Sequence, residues 1–196
     1  MKNNKDKLFS VITEKINNTF DLPFVVAIDG RSASGKSTFA KRFENLSGVA
    51  IIHTDDFYRP KNAFGELEIS EFNGNFDLIR FKSEVIDNLK KKEFSYGIFD
   101  CAEQRIVKTV SVCAPKCILI EGAYSHNPNL SEYADLKIFF DIDEETQKDR
   151  ICDRNGIEAY EAFKKLWIQS EERYIDHYKI KENSHHSVME ENNGNI

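Results

Sequence analysis

Eight consecutive residues carry the types and the spacing that a phosphate-binding loop requires. Residues 30–37 read GRSASGKS and fit the pattern G-x-x-x-x-G-K-[ST] in full, between an apolar run and an amphipathic one. Successive backbone N–H groups of such a turn converge on an anion, and the helix that follows adds a partial positive charge. Lys36 is expected to reach the β- and γ-phosphates of a nucleoside triphosphate, and Ser37 to ligate Mg²⁺. The residues expected to line this nucleotide site are Gly30, Ser32, Ala33, Ser34, Gly35, Lys36, Ser37 and Thr38.

Carboxylates follow two other apolar runs. Asp55 and Asp56 come after the run at 49–52, and Glu121 ends the run CILIE. Since the carboxyl ends of parallel strands meet at one edge of a sheet, these acids are expected beside residues 30–37. Glu121 is predicted to be the second magnesium ligand, with a surface carboxylate at a turn as the alternative. Asp55 is predicted to accept the proton of an attacking hydroxyl, with a helix N-cap as the alternative.

Hydrophobic periodicity predicts the elements that position these residues. Helical spacing predicts helices over 6–19, 36–46, 81–92, 143–154 and 158–181. Apolar or alternating runs predict strands at 24–28, 49–52, 105–112, 117–122, 136–142 and within 185–189, the third of them an exposed hairpin strand. Strands that alternate with helices indicate the α/β class and a P-loop NTPase fold, a five-stranded parallel sheet flanked by helices. A single domain over 1–196 is expected, with a small acceptor-side insertion at 59–112 and a frayed tail at 190–196.

Composition restricts the class of protein. A chain of 196 residues with 40% hydrophobic residues can fold around one sizeable core. Its formal net charge of −6 argues against nucleic acid or an anionic membrane as a partner. Since no run of about 18 apolar residues occurs, a cytoplasmic location is expected, while a homo-oligomer is left open. The four cysteines form no CxxC pair and are expected to be reduced thiols, and His53 is expected to be packed rather than catalytic.

The order and spacing of several short motifs resemble those of the uridine kinase and phosphoribulokinase group of P-loop kinases, in particular its compact bacterial members. Besides the P-loop at 30–37, the motifs are DDFYRP at 55–60, NFD at 75–77, IFD at 98–100, ILIEG at 118–122 and DLKIFFDID at 135–143. The likeness covers about residues 23–189. It implies that Asp55 is the general base and that Tyr58 lines a nucleoside pocket. It also implies that Phe76 stacks on the base and that Asp77 contacts the ribose hydroxyls.

The resemblance also implies roles for residues that lie farther along the chain. Phe99 falls where members of this group carry a pocket tyrosine. Arg150 and Arg154 fall in the lid region, 144–156, whose arginines cover the transferring phosphate, and Arg150 is counted among the catalytic residues. Gln104 departs from the pattern because it stands where the group has a pocket histidine, and the lid carries fewer arginines.

These features predict an enzyme that uses ATP or GTP with Mg²⁺ to phosphorylate a hydroxyl of a small molecule. Paired acids favour a hydroxyl acceptor, because a phosphate acceptor would require an arginine cluster. The 5'-hydroxyl of uridine or cytidine is the first choice of acceptor. The alternatives are another ribosylated or sugar-like acceptor, pantothenate, or a P-loop regulator that binds a nucleotide without transferring its phosphate.

Overall fold

The computed structural model describes residues 4–19 and 21–190, and its centre is one parallel sheet. The strands of this sheet are β1 (Phe24–Gly30), β2 (Val49–His53), β5 (Cys117–Glu121), β6 (Leu136–Ile142) and β7 (His186–Glu190). They lie in the order β2-β5-β1-β6-β7, and every neighbouring pair is parallel. The predicted α/β class and five-stranded parallel sheet are confirmed.

Helices cover both faces of the sheet. They are α1 (Asn4–Asn17), α2 (Lys36–Ala40), α3 (Leu78–Glu84), α4 (Glu144–Asn155), α5 (Ile157–Phe163) and α6 (Gln169–Tyr178). Apolar side chains from β1, β5 and β6 fill two cores, one against α1 and α2 and the other against α3 and α6. Because β5 is buried at every position, its sequence is continuously apolar until the final glutamate. None of the helices described is long and apolar enough to cross a membrane.

A separate two-stranded sheet lies within the predicted insertion. β3 (Glu93–Asp100) and β4 (Arg105–Cys113) pair antiparallel, with a register shift between Ile98 and Phe99. The hairpin strand predicted at 105–112 is confirmed, whereas its partner β3 was not predicted as a strand. All four cysteines are free thiols, as predicted.

Several predicted helix bounds were wrong. The helix predicted over 36–46 ends at Ala40 and continues as a 3-10 turn over Lys41–Phe43. The helix predicted over 81–92 begins at Leu78, because Asp77 caps it, and ends at Glu84 before a 3-10 turn over Ile86–Asn88. Asn88 Nδ2 donates to two carbonyls at the end of α3 and so satisfies groups that the helix leaves unpaired.

The helix predicted over 158–181 is divided. A π-helical turn over Lys164–Ile168 joins α5 to α6, and α6 ends where Lys179 adopts the left-handed conformation, at φ 52°. Of the tail predicted at 190–196, Glu190 closes β7, and residues 191–196 lie outside the described residues.

Candidate nucleotide and acceptor site

The P-loop connects the carboxyl end of β1 to the first turn of α2. Gly30 is the last residue of β1, at φ 139°, and a Cβ placed on it would lie 1.9 Å from the carbonyl oxygen of Phe140 in β6. Gly35 lies immediately before α2 in the left-handed conformation, at φ 89°. The first glycine is therefore required by the close approach of β6, and the second by the turn of the loop.

The side chain of Lys36 forms hydrogen bonds with the start of its own loop. Its side chain is buried, and Nζ donates to the carbonyl oxygens of Gly30 and Arg31, both at 2.8 Å. The ammonium group is thus held across the start of the loop, where a phosphate would meet it. The phosphate contact expected for Lys36 stays a prediction.

A cavity of about 450 Å³ opens beside the loop. It brings the second half of the P-loop together with both arginines of the predicted lid region. Its lining residues are Lys5, Ala33, Gly35, Lys36, Ser37, Thr38, Arg150, Arg154 and Glu190. Of the other predicted nucleotide residues, Gly30, Ser32 and Ser34 do not line the cavity but form the start and the buried middle of the same loop.

The two lid arginines are placed differently. Arg150 on α4 donates from Nη1 to the carbonyl oxygen of Ala33 at 3.1 Å and from Nη2 to Glu190 at 3.0 Å, so it is fixed over the loop. Arg154, one turn later, is exposed and bonds only to Asn155 among the residues that the structure describes. Arg150 is therefore the better placed of the two to contact a phosphate in this conformation.

Glu190, at the end of β7, was not predicted as a site residue. It forms ion pairs with Lys5 and Arg150. Burial raises the pKa of Glu190, but hydrogen bonds from these two cations outweigh burial and hold the pKa below its ordinary value. Because Glu190 stands in a weak terminal strand of mixed composition, its sequence context gave no signal of a site.

Ser37 and Glu121, the two predicted magnesium ligands, lie within hydrogen-bonding distance of each other. Ser37 Oγ lies 3.2 Å from Glu121 Oε2, and Glu121 is 5% exposed. The register of β5 aligns Glu121 with Ile28 of β1 and His53 of β2, which places the acid beside the loop. Mg²⁺ prefers hard oxygen ligands and keeps several waters, so one carboxylate and one hydroxyl beside bound phosphates fit it. Among the described residues no cluster of three His, Cys, Asp or Glu side chains forms a complete metal site.

His53 is not the packed side chain that was predicted. Its side chain is 44% exposed, and Nδ1 lies 2.5 Å from Glu121 Oε1. This hydrogen bond raises the pKa of His53 above 6.5 despite partial burial. The exposed face at the carboxyl end of β2 allows the ring to reach Glu121, a contact that strand periodicity could not reveal.

Asp55 and Tyr58 form a hydrogen-bonded pair just after the carboxyl end of β2. Asp55 is exposed on a 3-10 turn that directly follows β2, and it accepts a 2.7 Å hydrogen bond from the hydroxyl of Tyr58. Burial, followed by the nearby charge of Asp55, raises the pKa of Tyr58 well above 10, so the phenol keeps its proton. Asp56 is half-buried, and burial raises its pKa. Asp55 is therefore the more accessible of the two acids.

The aromatic residues predicted to bind a base are largely interior. Phe76 is 2% exposed and contacts the rings of Phe81 and Tyr124, while Phe99 is 8% exposed on β3. A bridge between Tyr58 and Phe76 brings the two predicted pocket segments together. The stacking roles remain predictions, since little of either ring reaches the surface here.

Two polar residues predicted near the acceptor have backbone partners. Asp77 Oδ1 accepts from the backbone N–H of Arg80 at 3.0 Å and caps α3. Gln104, at φ 54°, accepts from the backbone N–H of Lys61 at 2.7 Å and ties the hairpin turn to the loop after Tyr58. Asp77 thus has a structural function besides its predicted contact with hydroxyls.

Known proteins to which this chain is similar include two kinds of kinase. No family model matches the chain. A uridine-cytidine kinase B of Dictyostelium discoideum is 30% identical over 160 residues, 76% of this chain and 65% of that protein. A pantothenate kinase of Vibrio vulnificus is 29% identical over 197 residues, 86% of this chain and 61% of that protein. The chain therefore spans less than two thirds of the length of these two relatives.

A solved structure described as a possible uridine kinase from Bacillus stearothermophilus superposes with a TM-score of 0.66 at 17% identity, over 91% of this chain and 99% of that one. The protein has the fold of the P-loop kinases. Within that class, the sequence relatives and the structural neighbour confirm the resemblance to the uridine kinase group that the motifs indicated.

Proposed function

We propose that this protein is a kinase that transfers the γ-phosphoryl group of ATP or GTP to a hydroxyl of a small molecule. The proposal rests on three features that lie at one edge of the sheet. They are a complete P-loop, the pair formed by Ser37 and Glu121, and the pair formed by Asp55 and Tyr58. A regulator needs the first two parts, but only a transferase needs a carboxylate on the acceptor side.

The donor half of the site would act by electrostatics. Lys36 and the backbone N–H groups of the P-loop hold the phosphates, and Arg150 faces them from α4. Ser37 and Glu121 would hold Mg²⁺, which bridges and neutralises phosphate oxygens when bound. Lys36, Ser37 and Arg150 line the same cavity beside the loop, and Glu121 lies 3.2 Å from Ser37.

The acceptor half would act by proton transfer and orientation. Tyr58 occupies Oδ1 of Asp55, which leaves the second carboxylate oxygen to accept the proton of the attacking hydroxyl. Asp77 would orient vicinal hydroxyls through its remaining oxygen, since a carboxylate has several acceptor positions. These roles support the 5'-hydroxyl of uridine or cytidine as the acceptor.

Two observations favour a second acceptor. The Vibrio vulnificus relative is named a pantothenate kinase and aligns over 86% of this chain. Gln104 is engaged by a backbone N–H of the neighbouring loop, where the uridine kinase pattern places a pocket histidine. Pantothenate, which carries a primary hydroxyl, is therefore the second candidate.

A screen of nucleoside diphosphate release, ADP from Mg²⁺-ATP and GDP from Mg²⁺-GTP, over nucleosides, sugars, glycerate and pantothenate tests the proposal. We expect stimulation by uridine or cytidine in the wild type and none in the Lys36→Ala variant. Stimulation by pantothenate alone would select the second acceptor. Hydrolysis that no compound stimulates would favour a nucleotide-binding regulator and contradict the kinase assignment.

A further inference from the structure

Glu171 on α6 lies against the first half of the P-loop. Its Oε2 accepts from the backbone N–H of Ser32 at 3.0 Å, and its Oε1 accepts from the Ser32 hydroxyl at 2.5 Å. Each carboxylate oxygen thus takes one donor of the same residue.

The carboxylate is almost completely buried. Glu171 is 4% exposed, and burial raises its pKa, although the charge of Lys36 and the two hydrogen bonds from Ser32 offset part of this effect. A charged group is costly to bury unless its hydrogen bonds are satisfied. Removal of the Glu171 side chain would leave the N–H and the hydroxyl of Ser32 without their hydrogen-bond acceptor, which is costly inside a protein.

The same turn of α6 holds the residue before Ser32. Glu172 accepts two hydrogen bonds from the guanidinium of Arg31, at 2.6 and 2.7 Å. Tyr174 lies about one helical turn after Glu171, and its hydroxyl donates to the buried carboxylate of Asp29 in β1 at 2.7 Å. α6 is therefore hydrogen-bonded to β1 through Tyr174. It also binds two successive residues of the loop, Arg31 and Ser32.

Ser32 is also held from the opposite helix. Gln147 on α4 donates from Nε2 to the carbonyl oxygen of Ser32 at 3.0 Å. The N–H, the carbonyl and the hydroxyl of Ser32 are all bound to the protein, to α6 on one side and to α4 on the other. Arg150 reaches the next carbonyl, that of Ala33, from the same helix.

We propose that Glu171 is a positioning residue that fixes Ser32, and through it the first half of the P-loop, in the conformation that receives the nucleotide. It acts by its two hydrogen bonds and does not contact the phosphate itself. The inference rests on the proposed function only in that the loop binds a nucleoside di- or triphosphate. It adds α6 to the elements on which nucleotide affinity depends.

The test is calorimetric binding of Mg²⁺-ADP, which requires no acceptor and no turnover. Glu171→Ala should weaken binding roughly 10- to 100-fold, the loss expected when hydrogen bonds to a charged group are removed. Glu171→Gln should stay within about threefold of the wild type, because its Oε1 can accept from the Ser32 N–H and its Nε2 can donate to Oγ. This rescue separates positioning from a general loss of stability.

The matched control is Asp176→Asn, which removes a carboxylate from the exposed side of the same helix and should leave affinity unchanged. Ser32→Ala combined with Glu171→Ala should bind no more weakly than Glu171→Ala alone, as expected for two residues of one contact. If the alanine variant of Glu171 does not fold, Glu171→Met, which fills a similar volume but cannot accept the two hydrogen bonds from Ser32, supplies the same comparison and should show the same loss.

Three results would overturn the inference. Equal affinity in wild type and Glu171→Ala would show that the contact does not position the loop. Tighter binding of Mg²⁺-ADP by both Glu171→Ala and Glu171→Gln would show that the carboxylate repels the phosphates. Equal losses of affinity in these two variants would show that only the charge of Glu171 matters. A wild type that fails to bind Mg²⁺-ADP would instead overturn the proposed function, and with it any nucleotide-dependent role of Glu171.

Discussion

The hydroxyl of Tyr58 donates to Oδ1 of Asp55 across 2.7 Å and fixes the orientation of the one exposed acid that follows β2. If Asp55 is the general base, Asp55→Asn keeps the shape and the hydrogen bond but removes the proton acceptor. We expect kcat to fall by about 10²- to 10⁴-fold with nearly unchanged nucleotide affinity. Steady-state kinetics together with nucleotide titration measure both quantities. The neighbouring Asp56→Asn is the control, and an equal or larger loss from it would reassign the base.

Lys36→Ala should abolish phosphoryl transfer. The variant loses the cation that faces the phosphates, and a loss of roughly 10³-fold or more in kcat is expected. Because Nζ also binds the carbonyls of Gly30 and Arg31, we expect the free energy of unfolding to fall by about 1–2 kcal/mol as well. Lys41→Ala, at an exposed position after α2, is the matched control for both measurements. Near-normal turnover in Lys36→Ala would contradict the assignment of the P-loop.

Glu121→Gln should raise the Mg²⁺ concentration needed for activity. The amide keeps the shape of the side chain beside Ser37 but removes the charge that helps to hold the cation. The measurement is the rate as a function of Mg²⁺ concentration at fixed nucleotide. We expect the midpoint to move upward severalfold while the rate at saturating Mg²⁺ recovers in part. An unmoved curve would mean that Glu121 serves only to bind His53.

Asp77→Asn separates acceptor binding from helix capping. Asparagine caps helices about as well as aspartate, so the stability of α3 should not change. We therefore attribute any kinetic effect to the acceptor, and expect its KM to rise more than kcat falls. A deoxyribonucleoside that lacks the vicinal hydroxyls should show the smallest difference between variant and wild type. Equal effects on ribo- and deoxyribonucleosides would remove Asp77 from the acceptor site.

Asp141 should make the free energy of unfolding depend on pH. It is buried at the end of β6, where burial raises its pKa, but Lys181 at 2.6 Å and Arg31 outweigh burial and lower the pKa below 3.8. A lowered pKa in the folded state means that the stabilisation is present above pH 3.8 and is lost as the pH falls through the folded pKa. Asp141→Asn should therefore be less stable by about 1–3 kcal/mol at neutral pH.

Urea unfolding of Asp141→Asn and wild type between neutral pH and pH 3 measures this difference. We expect the difference in the free energy of unfolding to be constant near neutrality and to shrink below pH 3.8. Asp149→Asn, at an exposed position on α4, is the control and should track the wild type. A difference that grows on acidification would contradict the sign of the shift.

The sequence predicted the parallel sheet and the edge at which the site lies. Buried parallel strands are continuously apolar, and the acids that interrupt them at Glu121 and Asp55 mark where they end. The P-loop was predicted because its chemistry is local, within residues 30–37. These parts of the fold follow from short stretches of chain.

The remaining features depend on contacts between distant parts of the chain. Glu171 meets Ser32 across 139 positions, and nothing in its own helix distinguishes it from the adjacent Glu172. The helix over 81–92 was predicted too long because Val85, Ile86 and Leu89 keep helical spacing and are buried. The 3-10 turn over Ile86–Asn88 follows directly on α3 and has a similar residue spacing. The periodicity of apolar residues therefore does not distinguish it from a continued α-helix.

The two glycines of the P-loop are constrained in two different ways. Gly30 is confined by the backbone of β6, which any copy of this fold must retain, whereas Gly35 has only the carboxylate of Glu190 nearby, 3.6 Å from a Cβ built on it. A substitution of Lys36 or, at some cost in backbone strain, of Gly35 would therefore leave the packing of β1 against β6 intact, whereas any side chain at position 30 would force these two strands apart.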